Sequence, residues 1–381
     1  MHKNVNVAII GGGCVGLSVA YHLGKLGVED VLLLERDYLG AGATCRCGGG
    51  MRQQWSTRGN VVLAKHAVQA FANFENELGQ DIDFVQGGYL LPAYDQQMLD
   101  EFEENIHIQN QAGIDTRLVT PAEVNKIVPL LNTDGMLGAS FGPGDGKANP
   151  FLVVEGYANR AREMGVEIKT HQAVVGLRSC DEGIEVLTES GKIFARTVVN
   201  AAGGFAAEVA AMVGVEIPVR PYRHQVFVTE PVESCFDPMV IDLRRNIYFS
   251  QAKHGAFITG QTDHGELSSH NISERWQSGV QIARKLISMV PRLKKVGMLR
   301  QWAGSYAVTP DSQPILGPAA SEPNMLLACG FSGHGFMLSP IAGKLIAEHI
   351  ACGHCETLPI DDYLMTRFET QGSICAEQNV V

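Results

Sequence analysis

The chain has 381 residues, 45% hydrophobic and 19% charged, a balance that supports a packed core in one large or two ordinary domains and excludes intrinsic disorder. Its formal net charge of −11, from 30 Lys+Arg against 41 Asp+Glu, comes with no block of basic residues, which argues against a nucleic-acid backbone as partner. Glycine is over-represented at 42 residues, about 11% where about 7% is usual, and its short runs mark loops whose backbone approaches something closely.

The first 35 residues read as a βαβ unit. Residues 5–10 form an apolar run suited to a strand buried on both faces. Gly11-Gly12-Gly13-Cys14-Val15-Gly16 follows, then apolar residues at helical spacing, then a second strand over 31–34 that ends at Glu35. The apolar stretch 5–23 is broken by these glycines and lacks a cleavage signature, so no signal peptide and no membrane span are expected. Residues 36–50 are loop-like, and helices are predicted over 60–78 and 97–112. A strand is predicted over 82–91, bent at Gly87-Gly88. Thr120-Pro121-Ala122-Glu123 starts a short helix with a capping residue, a first-turn proline and an acid. A helix is expected over 150–164, exposed strands over 166–170 and 183–188, and a buried strand over 197–202. Strand-like patterns dominate 225–260, a helix is predicted over 271–290, and a last strand over 325–329 leads to a helix beginning near Pro340. No repeat, low-complexity tract or linker divides the chain.

Nine cysteines, an odd number at irregular spacing, do not make a disulfide framework and fit a reduced, cytoplasmic setting. Cys352-Gly353-His354-Cys355 spells a redox-like C-x-x-C, but it follows the end of a helix, the wrong pole for lowering a thiol pKa. No second Cys/His pair lies nearby to complete a metal site, and none is predicted.

Gly11-x-Gly13-x-x-Gly16 between strand and helix, with Glu35 nineteen residues on, predicts a dinucleotide site. The first glycine allows the tight turn, the second the approach of a pyrophosphate and the third close packing of helix on strand. Glu35 suits a ribose hydroxyl and argues against a 2′-phosphate. Thr197-Val198-Val199-Asn200-Ala201-Ala202-Gly203 is a buried strand ending in small residues, a place for a cofactor to lie against backbone. Gly333-His334-Gly335-Phe336 leads to Ser339-Pro340, read as N-cap and first helical residue. A helix N-terminus there would favour the anion formed when a flavin is reduced, whereas a nicotinamide becomes neutral. The residues alone therefore prefer a flavin and leave NAD open.

With these motifs the chain resembles the D-amino-acid-oxidase-like flavoproteins, especially sarcosine oxidases and the FAD-carrying β subunits of sarcosine oxidase and L-proline dehydrogenase complexes. The resemblance runs end to end and rests on the N-terminal glycine motif with Glu35-Arg36 and on residues 42–52. It rests equally on Asp145-Gly146-Lys147-Ala148-Asn149-Pro150, on Asn200-Ala201-Ala202-Gly203 and on residues 330–336. It implies an α/β plus α+β fold in which a Rossmann-like FAD-binding domain (1–85, 145–220, 310–381) interleaves with an antiparallel-sheet substrate domain (86–144, 221–309). It implies FAD held by Gly11, Gly13, Cys14, Val15 and Gly16, by Glu35 and Arg36, and by Ala43, Thr44, Arg46, Gly49, Gly50 and Met51. Val174, Ala201, Ala202, Gly203, Gly304, Gly333, His334, Gly335, Phe336 and Met337 complete that set.

The departures from the family are specific. Gly304 stands where monomeric sarcosine oxidases tether FAD through cysteine, and Ala148 where heterotetrameric ones carry a flavin-linked histidine, so FAD is expected to be non-covalent. Met337 and Ile258 replace two lysines near the flavin, which points to a dehydrogenase that passes electrons to an α subunit or another acceptor. The resemblance also allows an FMN at a subunit interface. The implied reaction oxidises an amino acid or secondary amine, proline- or sarcosine-like, to the imine. Arg52 would hold the substrate carboxylate, Tyr306 and Tyr248 would face the substrate, and His334 would supply hydrogen bonds to the flavin. Oxidation of a 2-hydroxy acid or polyol phosphate, and a non-catalytic FAD-holding subunit, are the alternatives.

Overall fold

The computed structural model describes residues 3–263, 265–369 and 376–379. Two large sheets organise them. The first runs, edge to edge, Ile315–Ala319, Glu322–Cys329, Gly191–Asn200, Lys3–Ile10, Val31–Leu34 and Glu167–Lys169. Lys3–Ile10 pairs in parallel with both Gly191–Asn200 and Val31–Leu34. Parallel strands need cover on both faces, and the Val31–Leu34 side chains are all buried. On one face the helix Cys14–Lys25 packs with Gly335–Cys352 and Pro150–Glu163. Gly183–Thr188 and Val174–Cys180 form an antiparallel annex on Gly191–Asn200.

The second sheet runs Met298–Val308, Arg220–Pro231, Ala256–Thr262, Ile247–Gln251, Met239–Asp242, Tyr89–Ala93, Gly138–Gly142 and Arg117–Val119. It is antiparallel except where Met239–Asp242 meets Tyr89–Ala93. Its phenylalanines 227, 236, 249 and 257 form a separate core under the helix Trp276–Met289. A two-stranded ribbon pairs Gly50–Met51 with Gly146–Lys147.

Four expected elements differ. The single helix over 60–78 is two, Arg58–Ala72 and Phe74–Leu78, because Asn73 leaves the helical conformation and lets both Phe71 and Phe74 reach the core. Of the strand over 82–91 only Tyr89–Ala93 is regular, with Val85 making an isolated bridge to Lys147. The helix over 271–290 starts at Trp276, since the Asn271 side chain accepts from Ser273 N–H at 2.9 Å and holds a turn.

The fourth correction matters for function. Ser339 and Pro340 do not begin the last helix; it begins at Gly335, and Pro340 lies inside it. Proline cannot donate to the carbonyl four residues back, and the Ser339 hydroxyl takes that carbonyl, Phe336 O, at 2.8 Å. The free N-terminal N–H groups thus belong to Gly335, Phe336 and Met337.

Candidate active site

The three glycines of the first motif differ in what surrounds them. Gly11 has φ +114°, and a Cβ there would overlap the Ala201 carbonyl oxygen; a Cβ at Gly16 would overlap the Gly11 carbonyl. Gly13 has ordinary dihedrals, and a Cβ would meet only Thr44 Oγ1 at 3.1 Å. Turn and packing thus account for two glycines, while the third leaves backbone bare where a helix begins, a cradle that suits a pyrophosphate. Thr44 Oγ1 accepts from Cys14 N–H at 3.1 Å, which ties residues 43–46 to that helix start.

Glu35 accepts from Gly12 N–H at 2.7 Å and Asp37 N–H at 2.8 Å. Each oxygen keeps acceptor capacity for a ribose hydroxyl. Gln172 N–H donates to Glu35 O, which brings the strand start at Val174 beside the acid. The Arg36 guanidinium lies 3.8 Å over the Phe205 ring, just beyond Ala202 and Gly203. Arg46 donates to Ala41 O and Ala303 O and packs against Gly304. None of these residues lines the cavity described next.

That cavity lies where the glycine run 48–50, the second sheet and the start of the last helix meet. Arg52, Tyr89, Met239, Ile241, Tyr248, Tyr306, Cys47, His334, Phe336 and Met337 line it with Gly48, Gly49, Gly50 and Gly333. The glycines permit close approach: a Cβ at Gly48 would press on the Tyr248 ring, and one at Gly50 on the Tyr89 hydroxyl. The structure therefore brings Arg52, Tyr306, Tyr248 and His334 together with Gly49, Gly50, Gly333, Phe336 and Met337. Met51 is fully buried behind it.

Arg52 is 2% exposed. Its Nη1 donates to Gln54 O at 2.7 Å, Nη2 faces His334 Nε2 at 3.3 Å and donates to Asn379 O, and Nε has no partner among the described residues. The guanidinium stacks 4.1 Å over Trp55, whose Nε1 donates to Arg52 O. Among the described residues no carboxylate comes within ion-pair distance of it. Burial lowers its pKa, and Glu377 and Asp145 at longer range oppose that shift. A buried, unpaired cation is costly, so this site is built for an anion.

Arginine can only donate, so His334 Nε2 accepts and the ring proton sits on Nδ1. That Nδ1 is buried without a partner among the described residues. Burial, then Arg52, holds the His334 pKa well below its ordinary value, which keeps the ring neutral. Burial likewise raises the pKa of Tyr306, Tyr248 and Tyr89, so all three present neutral hydroxyls. It pushes the Cys47 thiol up to about 12. The first turn of the last helix carries no acid, leaving its N–H groups and dipole available to negative charge.

Several of these residues carry no signal in the sequence. Tyr89, Met239 and Ile241 reach the cavity only through strand pairing. Asp145, in a loop prominent in the sequence, lies fully buried under the Arg52 turn. It accepts from Gln53 N–H at 2.8 Å and Gln54 Nε2 at 2.9 Å. His224 stacks on Tyr306 at 4.3 Å between centroids, and burial lowers its pKa to about 3. The Cys352–Cys355 pair takes no part: Cys352 is exposed, Cys355 donates to Leu345 O, and both are free thiols. Among the described residues no cluster of His, Cys, Asp or Glu could hold a metal. No described helix is long and apolar enough to cross a membrane.

An orphaned donor on His334, a bare helix start at Gly13 and an acid with spare acceptor capacity together fit a flavin dinucleotide. Comparison with known proteins agrees. The chain is 36% identical to an L-proline dehydrogenase from P. horikoshii, with a TM-score of 0.92 over 97% of this chain and 99% of that one. It is 29% identical to sarcosine oxidase subunit beta of Rhodobacter capsulatus, over 92% of this chain and 86% of that one. Mouse (Mus musculus) mitochondrial sarcosine dehydrogenase is 31% identical over 93% of this chain, but the match spans only 40% of that longer protein. Glycine oxidase from Geobacillus kaustophilus, 22% identical with a TM-score of 0.88, shares the fold. The DAO family of FAD-dependent oxidoreductases matches residues 6–349, and the chain belongs to that family.

Proposed function

We propose that the protein oxidises an amino acid with a primary or secondary amine, proline- or N-methylglycine-like, to its imine. The observation that carries this reading is Arg52: a buried guanidinium with no carboxylate partner among the described residues, facing a cavity walled by neutral tyrosines. The names of the relatives, sarcosine and proline enzymes among them, support an amine carried on a carboxylic acid.

FAD would be held by the Gly11–Gly16 turn, Glu35, Thr44 and the start of the last helix, where Gly333, His334, Gly335, Phe336 and Met337 lie. Residues 1–85, 145–220 and 310–381 would make up the FAD-binding domain, and 86–144 with 221–309 the substrate domain. Gly304 and Ala148 offer no side chain for a covalent link. When bound, FAD would supply a two-electron acceptor for the hydride on the carbon that bears the nitrogen.

The protein groups do the positioning. Arg52 pairs with the substrate carboxylate, each charge-assisted bond contributing about 1.5–3 kcal/mol. Asp145 holds the Gln53–Gln54 backbone and thereby the Arg52 turn. The Tyr306 and Tyr248 hydroxyls face the amine end and, being neutral, can accept from or donate to it. His334 is neutral and occupied by Arg52 on one nitrogen, so it orients Arg52 and keeps one N–H for the flavin. It is not placed to act as general base.

No lysine is among the residues lining the cavity, which supports a dehydrogenase handing electrons to a partner subunit or another acceptor. An FMN at such a subunit interface is compatible with that role. Anaerobic titration of the FAD-loaded protein with amino acids and hydroxy acids, following flavin absorbance, tests the proposal. Bleaching by a cyclic or N-alkyl amino acid, with slow recolouring in air, is expected. Bleaching by hydroxy acids alone, or by nothing, would overturn it.

A further inference from the structure

One contact on Arg52 comes from a distant part of the chain. The Asn379 backbone carbonyl accepts from Arg52 Nη2, although residue 379 is separated from Arg52 by most of the chain. The segment that carries it is firmly held. Glu377 is buried, and its carboxylate accepts from Ser56 N–H at 2.8 Å, Ser56 Oγ at 2.6 Å, Thr57 N–H at 3.2 Å, Thr57 Oγ1 at 3.0 Å and Asn60 Nδ2 at 3.0 Å. Asn379 itself is held more lightly, through Nδ2 to Gln54 O at 3.2 Å and its own N–H to Glu377 Oε1 at 3.1 Å.

The contact has a geometric consequence. A guanidinium presents two bidentate edges, one through Nε and Nη2 and the other through Nη1 and Nη2. Each needs one Nη2 proton. Both are committed, one to His334 and one to Asn379, so neither edge is open while Asn379 is in place. Displacing the Asn379 carbonyl frees one Nη2 proton and opens an edge. A substrate carboxylate, carrying full charge, is a stronger acceptor for that proton than a neutral peptide carbonyl.

We propose that residues 377–379 form an internal competitor for the substrate carboxylate: Glu377 anchors the segment, and the Asn379 carbonyl occupies Arg52 until substrate displaces it. This rests on the reading of Arg52 as the carboxylate site. Apparent affinity for a carboxylate is then the intrinsic affinity multiplied by the fraction of protein with the contact open.

The test uses oxidised, FAD-loaded full-length protein titrated with acetate, read from the perturbation of the flavin spectrum, together with steady-state kinetics on the best amine found above. Glu377→Ala is expected to tighten acetate binding and lower KM by roughly 3- to 10-fold, with kcat moving by less than about two-fold. Asn379→Ala removes only the side-chain tie to Gln54, so it tests the same point with little risk to folding, and its shift is expected in the same direction and smaller. Unchanged or weakened acetate binding in both variants, while Arg52→Gln still abolishes the response, would overturn the competitor and leave the carboxylate site standing. An acetate response that survives Arg52→Gln would overturn both.

Discussion

The proposed nucleotide cradle and the proposed substrate cavity are built in opposite ways. The cradle is made of backbone: a turn at Gly11, bare N–H groups at Gly13, close packing at Gly16 and one acid on the next strand. The cavity is made of side chains that the fold gathers from distant strands. Arg52 follows a glycine run, Tyr89 and Tyr248 lie on neighbouring parts of the second sheet, and Tyr306 sits on its edge strand. A cradle made of backbone tolerates almost any side chains around it, provided its glycines stay. A cavity made of side chains sets chemistry residue by residue.

The sharpest way to break that contrast is at Gly13, where a Cβ would crowd a single side-chain atom of the protein, Thr44 Oγ1, at 3.1 Å. Gly13→Val should leave the fold intact while FAD affinity falls by at least about 100-fold, as a side chain takes the place of the pyrophosphate. Flavin-to-protein absorbance after dialysis, beside a thermal melt, reads both. A variant that keeps its flavin would remove the cradle from the account.

Asp145 joins the two regions, since it is buried and grips the backbone beside Arg52. Asp145→Asn puts an amide where Gln54 Nε2 donates, and should cost about 1–3 kcal/mol of stability. The pH dependence carries a sign. Burial raises the Asp145 pKa to about 6, above an ordinary carboxyl near 4. The folded state therefore holds this proton more tightly than the unfolded chain, and the resulting stability is lost as pH rises from about 4 through about 6. The variant lacks that loss, so its deficit against the parent should narrow over the same interval in denaturant titrations. A deficit that widens would contradict the assignment.

The smallest expected effect is at Tyr306. Tyr306→Phe keeps the ring stacked on His224 and removes one hydroxyl, so kcat/KM for the amine should fall by roughly 5-fold, about 1 kcal/mol. No change would reduce Tyr306 to packing.

The same contrast explains what the sequence discloses. Backbone sites leave a spacing rule, so Gly11, Gly13, Gly16, Glu35 and the small residues at 201–203 are legible together with the strand–helix–strand around them. The strand-like stretches over 225–260 likewise announce the second sheet. Arg52 stands out because three glycines precede it. Tyr89, Trp55 and Asn379 do not, because their neighbours come from parts of the chain that only tertiary pairing brings near, and for the same reason the motif at 145–150 does not disclose that Asp145 grips the Arg52 turn. The start of the last helix is misplaced in the sequence for a related reason. Ser339-Pro340 has the residues of a helix start, and only the Ser339 hydroxyl bonded to Phe336 O shows how a proline is carried in mid-helix.

In the proposed reading Arg52 recognises a carboxylate attached to the amine being oxidised. Anaerobic flavin reduction by L-proline and by pyrrolidine, its analogue without the carboxylate, should be compared in the parent and in Arg52→Gln. The parent should strongly prefer L-proline, or the best amino acid and its decarboxylated analogue in its place. This preference should drop by on the order of 100-fold, about 3 kcal/mol, in the variant. A preference that survives the loss of Arg52 would contradict it.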